Sequence, residues 1–255
     1  MTAPTILYER GILNGTTEEP KQGIYEQSAT QQYELGTRLA LEDGRAFRYC
    51  QAGATALDAG ELQQSALFGG SLTTVQTDIA VQAAAAIGDT DVYVTTVTDA
   101  TTLDQYKGGY FCISDATGQG QMRKIAGNAA GAAGTVKFEL DVGLEVAVTT
   151  SSKVQLMSNP YKAVLQSVVT TPSGLILGVP TCVIAISAFG WLQTWGMACC
   201  LVKTALTMGT NVLYDVAAAG SVGVDDGALI NSKVGIAGLV TATTDSGLVF
   251  LTIAP

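Results

Sequence analysis

The sequence predicts an all-β protein of two small barrels or sandwiches, one inserted in the other, preceded by an extended N-terminal arm. Three observations carry this expectation. Several segments alternate polar and apolar residues, Gly-containing turns separate them at strand spacing, and almost nothing has helical periodicity.

The elements follow in order. Residues 1–37 hold few apolar runs and include Asn14-Gly15-Thr16-Thr17-Glu18-Glu19-Pro20, so they read as an arm that orders on contact with a partner. Glu42-Asp43-Gly44-Arg45 then lies between Arg38-Leu39-Ala40-Leu41 and Ala46-Phe47-Arg48-Tyr49-Cys50, a strong hairpin signal. Val92-Tyr93-Val94-Thr95-Thr96-Val97 is β-branched and aromatic and favours a pleated surface. Asp115-Ala116-Thr117-Gly118-Gln119-Gly120 separates Tyr110-Phe111-Cys112-Ile113 from Gln121-Met122-Arg123-Lys124-Ile125 as another turn. Thr135-Val136-Lys137-Phe138-Glu139-Leu140 alternates without a miss, which would bury Val136, Phe138 and Leu140; Lys153-Val154-Gln155-Leu156 repeats the pattern. Gly247-Leu248-Val249-Phe250-Leu251-Thr252-Ile253 is a continuous apolar run, as in a strand covered on both faces.

Helix is scarce. Ala83-Ala84-Ala85-Ala86 has helical propensity but is too short to stand alone. Thr101-Thr102-Leu103-Asp104-Gln105-Tyr106 is expected to form one or two helical turns. No internal repeat is visible. Composition places an arm at 1–37, a body at 38–76 plus 158–255, and an inserted β domain at 77–157.

Composition also excludes functions. The 255 residues carry 13 Lys plus Arg against 22 Asp plus Glu, a formal charge of −9, and contain no histidine. A Ser-His-Asp triad, a Cys-His dyad and a His-ligated zinc are therefore impossible. The acidic balance argues against nucleic acid as a partner, since phosphate binding needs Lys and Arg. No charged residue occurs between Lys162 and Lys203, but Pro172, Gly174, Gly178 and Pro180 break that stretch, and a spanning helix needs about 20 apolar residues. No membrane association is expected, and no basic and apolar leader opens the chain.

Candidate sites are few. The cysteines Cys50, Cys112, Cys182, Cys199 and Cys200 are odd in number and lack C-x-x-C spacing, so they read as buried free thiols of a reducing compartment. Adjacent Cys199 and Cys200 would point to opposite faces of a strand and make poor joint metal ligands. Asp89 and Asp91 lack the distal Glu of a calcium loop. Gly118-Gln119-Gly120 lacks the third glycine of a dinucleotide fingerprint, so both motifs read as turns. No catalytic, cofactor or metal site is expected. Trp191, Gln193 and Trp195 would share one strand face, either as core or as a partner interface where Trp is enriched. In the arm, Ile6, Leu7, Tyr8, Tyr25 and Tyr33 are candidates for gripping a neighbour.

The segments Glu34-Leu35-Gly36-Thr37-Arg38, Asp43-Gly44-Arg45-Ala46-Phe47-Arg48-Tyr49, Ala52-Gly53 and Leu57-Asp58-Ala59-Gly60-Glu61-Leu62 carry a family resemblance. So do Gln105-Tyr106-Lys107-Gly108-Gly109-Tyr110, Gly118-Gln119-Gly120-Gln121, Ser158-Asn159-Pro160-Tyr161-Lys162 and Trp191-Leu192-Gln193-Thr194-Trp195-Gly196. From about residue 34 onward the chain resembles a group of tailed-bacteriophage virion proteins, some similar to head decoration (cement) proteins. The extreme N-terminus departs from that pattern. The resemblance implies a non-enzymatic subunit, assembled in the host bacterial cytoplasm, that binds the outer surface of the head. Its implied partners are the major capsid protein and further copies of itself, as a homotrimer. The arm would contact the shell or a neighbour, so deleting residues 1–30 would abolish head binding and leave the body folded. The alternatives are a tail, neck or baseplate structural protein and a carbohydrate-binding virion module.

Overall fold

The computed structural model describes residues 11–13, 16–18, 20–66, 75–96, 102–131, 134–169, 173–224, 232–239 and 245–255. Among them there is no helix. The strands are β1 (Gly11–Leu13), β2 (Thr16–Glu18), β3 (Arg38–Leu41), β4 (Ala46–Gln51), β5 (Gln63–Gln64), β6 (Val75–Ala80), β7 (Asp91–Thr96), β8 (Tyr110–Asp115) and β9 (Met122–Asn128). They continue as β10 (Gly134–Leu140), β11 (Lys153–Met157), β12 (Leu165–Gln166), β13 (Ile176–Pro180), β14 (Phe189–Leu201), β15 (Asn211–Tyr214), β16 (Val222–Val224), β17 (Lys233–Ala237) and β18 (Ser246–Thr252). The chain divides into two compact units, one formed by residues 1–66 with 161–255 and the other by 67–160.

The first unit is organised by β14. Its sheet runs β16-β15-β17-β18-β14-β4-β3-β1-β2, with β13 also paired to β14 and β5 bridging β13 and β12. The Asp43-Gly44 hairpin forms as the sequence suggests, with Gly44 at φ 86°. Along β14 every residue from Phe189 to Thr194 is buried. On this half Trp191 and Phe189 pack with Leu39, Phe47 and Tyr49, while Leu192 packs in a second cluster with Cys50, Leu57, Val164 and Ile184. The other half of β14 contributes Ala198 and Cys200 to a third cluster with Val249, Leu251, Val212, Tyr214 and Val234. There the sheet curls, and Val202 just beyond β14 bridges Val222 of β16.

A β-bulge separates the two halves. Gln193 pairs with Phe47, but Trp195 pairs with Ala46, so the register shifts by one residue. Gly196 follows in a left-handed conformation at φ 86°, which a residue with a side chain rarely adopts.

Residues 20–36, grouped by composition with the arm, lie against this body. Ile24 is buried in the cluster of Trp191 and Tyr49, and Tyr33 and Leu35 pack on it. Buried Gln22 accepts a 2.7 Å hydrogen bond from the Tyr49 hydroxyl and donates to Phe189 O at 3.0 Å. Deleting residues 1–30 would therefore remove part of the core, which corrects the expectation that it spares the fold.

The second unit is a six-stranded antiparallel sheet in the order β6-β11-β8-β9-β10-β7. It curls until Val81, just past β6, bridges Val94 of β7. Val136, Phe138 and Leu140 point into its core as the alternation of β10 predicts, alongside Phe111, Tyr106, Val92 and Leu156. Leu103–Gly108 is a run of turns rather than helix. Its caps are side-chain bonds: Asn128 Oδ1 accepts from Tyr106 N at 2.8 Å, and Asn128 Nδ2 donates to Thr102 O at 2.9 Å.

Both units use one device that the sequence does not announce. In the first, Leu57 and Ile184 exchange reciprocal backbone hydrogen bonds, each 2.9 Å. In the second, Ala85 and Val148 do the same, at 3.1 and 2.9 Å. All four side chains are buried, and each residue is followed by a tight turn. The third residue after it is left-handed in three cases: Gly60, Gly88 and Ser187. The two units thus share this local arrangement although the sequence shows no internal repeat. The Ala83–Ala86 run forms one of these hooks and not a helical turn, because the backbone groups of Ala85 are bonded to Val148.

Candidate interaction face

The site is built from the outward half of β14 and its two neighbours. Beyond the bulge, Met197 pairs with Phe250 of β18, and Phe250 pairs with Ile236 of β17. Cys199 pairs with Leu248, and Trp195 with Thr252. Paired residues share a face. Since Ala198, Val249 and Leu251 point into the core, Trp195, Met197, Cys199, Leu248, Phe250 and Ile236 point outward. Met197, Leu248, Phe250 and Ile236 are exposed to 42%, 41%, 36% and 38%. The Trp195 and Phe250 rings meet edge to face with centroids 5.7 Å apart.

The face has relief. One hollow of about 490 Å³ is lined by Asp43, Gly44, Arg45, Trp195, Gly196, Met197 and Phe250. A second, of about 320 Å³, lies across Met197 and is lined by residues including Tyr25, Arg45, Gly60, Pro180, Cys199 and Ser246. The rim charges compensate one another. Arg45 Nε sits 2.5 Å from Asp43 Oδ2. Burial pushes the Asp43 carboxyl up, but hydrogen bonds and charge from Arg45 outweigh it and hold the group below its usual value. The Arg45 guanidinium also lies 5.8 Å from the Phe47 ring centroid, in cation–π range.

The structure disperses the residues singled out from sequence. Trp191 is 1% exposed, and its Nε1 donates to Gln22 O at 3.0 Å, so it is core of the first unit. Tyr33 is half-buried with its ring 5.3 Å from Tyr49 and 5.4 Å from Trp191, and its hydroxyl accepts from Lys21 N. Both serve this chain's own packing. The bulge puts Trp195 on the face opposite Trp191, which corrects the expectation that 191, 193 and 195 share one side. Tyr25 is 62% exposed and lines the second hollow. Ile6, Leu7 and Tyr8 lie outside the described residues.

Sequence reasoning did not single out Met197, Leu248, Phe250 and Ile236. The signal was the unbroken apolar run through β18, read as a strand covered on both faces. Among the described residues of the first unit, only one face of β18 is covered.

The cysteines also divide. Cys50 and Cys200 are buried, Cys112 and Cys182 are half-buried, and Cys199 is exposed, so the reading of all five as buried thiols holds fully only for Cys50 and Cys200. Burial pushes the Cys200 thiol up to about 12 and raises that of Cys50 further. Asp89 Oδ2 accepts from Ala86 N at 2.7 Å, and Asp91 lies 3.3 Å from Lys137 Nζ. Gly118 and Gly120 are turn glycines at φ 85° and 91°. Among the described residues, no three or more His, Cys, Asp or Glu side chains group to hold a metal ion, and no helix is long and apolar enough to cross a membrane.

No protein-family model matches the chain, and no curated protein and no solved structure matches it.

Proposed function

We propose that this protein is a structural subunit of a tailed-bacteriophage virion that decorates the outer surface of the head. It would act mechanically: each copy bridges neighbouring capsid subunits and adds contact area that must break before the shell opens under internal DNA pressure. Interfaces of this kind bury about 800 Å² per partner. The observation that carries the reading is the outward apolar face of β14, β18 and β17, whose Met197, Leu248, Phe250 and Ile236 keep apolar area in water that a partner would bury. Apolar patches on protein surfaces mark interaction sites. The family resemblance supplies the assembly, the major capsid protein as partner and the homotrimer.

The proposal is tested by co-sedimentation of the purified chain with phage heads that lack it. Saturable binding supports decoration, and failure to bind at any concentration contradicts it. Removal of residues 1–10, which spares the packed segment from Pro20 onward, tests whether Ile6, Leu7 and Tyr8 contribute to that binding.

A further inference from the structure

We infer that the outward face of β14, β18 and β17 is where another copy of this chain seats. The inference rests on the assembly reading above and deepens it by naming the surface of self-association.

The cover this face lacks is specific to half of one strand. Phe189–Thr194 is buried on both sides by the chain itself, through Trp191 on one side and Leu192 on the other. Past the bulge, the same strand is buried on one side only, yet its outward residues Trp195, Met197 and Cys199 and the facing Leu248 and Phe250 remain apolar. A strand that meets water on one face ordinarily alternates with polar residues. Here that alternation is absent, and no described residue of the first unit supplies a second layer.

Charge favours a copy as that layer. The chain carries −9, so two copies repel wherever carboxylates face each other. The six outward residues bear no carboxylate or cation, and the rim pair Asp43–Arg45 is internally neutral. Two like-charged chains can therefore meet here without opposing charges.

The relief also fits a copy. Self-association needs a surface that carries both a protrusion and a matching hollow. Met197 is exposed and forms a wall of both hollows, and Phe250 stands beside it on the wall of the larger one. The Met197–Phe250 ridge of one copy can enter the hollow of its neighbour. A thioether and an aromatic ring are well suited to such a contact.

The test is sedimentation velocity on the full chain at physiological salt, with alkylation of Cys199 followed in parallel. The expected mass is a multiple of 26.3 kDa, with Cys199 alkylated at least tenfold more slowly than a free thiol. M197E combined with F250E should give the single-chain mass and restore fast alkylation, with an unchanged far-UV spectrum. L248E alone serves as the second variant if that pair fails to fold. I87E, on an exposed turn of the other unit, should leave the mass unchanged. A wild-type monomer with freely reactive Cys199 overturns the inference, as does an oligomer indifferent to both face variants. A monomer whose Cys199 is protected until residues 1–10 are removed also overturns it, because the chain's own N-terminal segment then supplies the cover. None of these outcomes is read from head binding, so co-sedimentation and self-association distinguish a failure of the decoration reading from a failure of this inference.

Discussion

The indole of Trp191 donates a 3.0 Å hydrogen bond to the backbone carbonyl of Gln22, across 169 residues of sequence. The Gln22 side chain meanwhile ties the Tyr49 hydroxyl to the Phe189 carbonyl. These bonds fasten residues 20–36 to the central strand of the first unit. They make that segment part of the fold.

Gln22→Ala leaves the buried Tyr49 hydroxyl without its acceptor, which costs about 1–3 kcal/mol. In a domain of this size each kcal/mol lowers Tm by about 2–4 °C. Trp191→Phe should lose a comparable amount, and thermal unfolding by circular dichroism checks both. Removing residues 1–30 should abolish cooperative unfolding of the first unit, while removing 1–10 should not.

The second unit is continuous in sequence and has its own core. Residues 67–160 expressed alone should give a β-type far-UV spectrum and one cooperative thermal transition. A disordered spectrum would contradict its independence.

Two glycines permit close backbone approach. A Cβ at Gly235 would stand 2.1 Å from Phe250 O, and one at Gly143 would stand 2.4 Å from Gly88 O. Backbone cannot swing aside as a side-chain tip can, so Gly235→Ala and Gly143→Ala should each destabilise their own unit by about 1–3 kcal/mol or more. Urea denaturation of each variant measures the loss. An unchanged midpoint would contradict the packing of β17 on β18, or of the two turns.

Glu61 gives a pH dependence of defined sign. Burial raises its carboxyl above the ordinary value, assisted by the Asp58 charge and opposed by a hydrogen bond from Gln166. The folded state therefore binds the proton more tightly than the unfolded one. The Glu61 contribution to stability falls as pH rises from the unfolded value through the raised folded value. Glu61→Gln can retain an acceptor for Gln166 and should flatten this part of the pH profile, with stability at pH 7 equal to or above wild type. A steeper profile would contradict the assigned direction.

Much of the fold is legible in local pattern, where the pattern has a single structural meaning. Val136, Phe138 and Leu140 could be assigned to a core because period-2 alternation fits a strand. Asp43-Gly44 marked a hairpin because that dipeptide suits left-handed turn geometry. Three features were not legible. The bulge at Thr194 and Trp195 depends on pairing with β4, 148 residues upstream of Thr194 in the case of Ala46, and it changes which tryptophan is core. The paired hooks depend on tertiary bonds such as Leu57 to Ile184, and in the Ala83–Ala86 run those bonds override helical propensity. The docked segment 20–36 is polar by composition, because it packs through a few residues, notably Gln22, Ile24 and Tyr33. Similarly, β1 pairs antiparallel with both β2 and β3, although composition alone marked that stretch as arm. The interaction face was half legible. Its apolar run was plain, but which side lacked cover required the register of β14 against β18.

Under the proposed decoration role this chain is a repeated component of a phage head, and its copy number is the decisive quantity. Quantitative mass spectrometry of purified virions would compare this chain with their major capsid protein. Decoration predicts a ratio between about one-third and one copy per capsid subunit, as three-fold-related sites on a lattice require. A few copies per particle, or none, would contradict it.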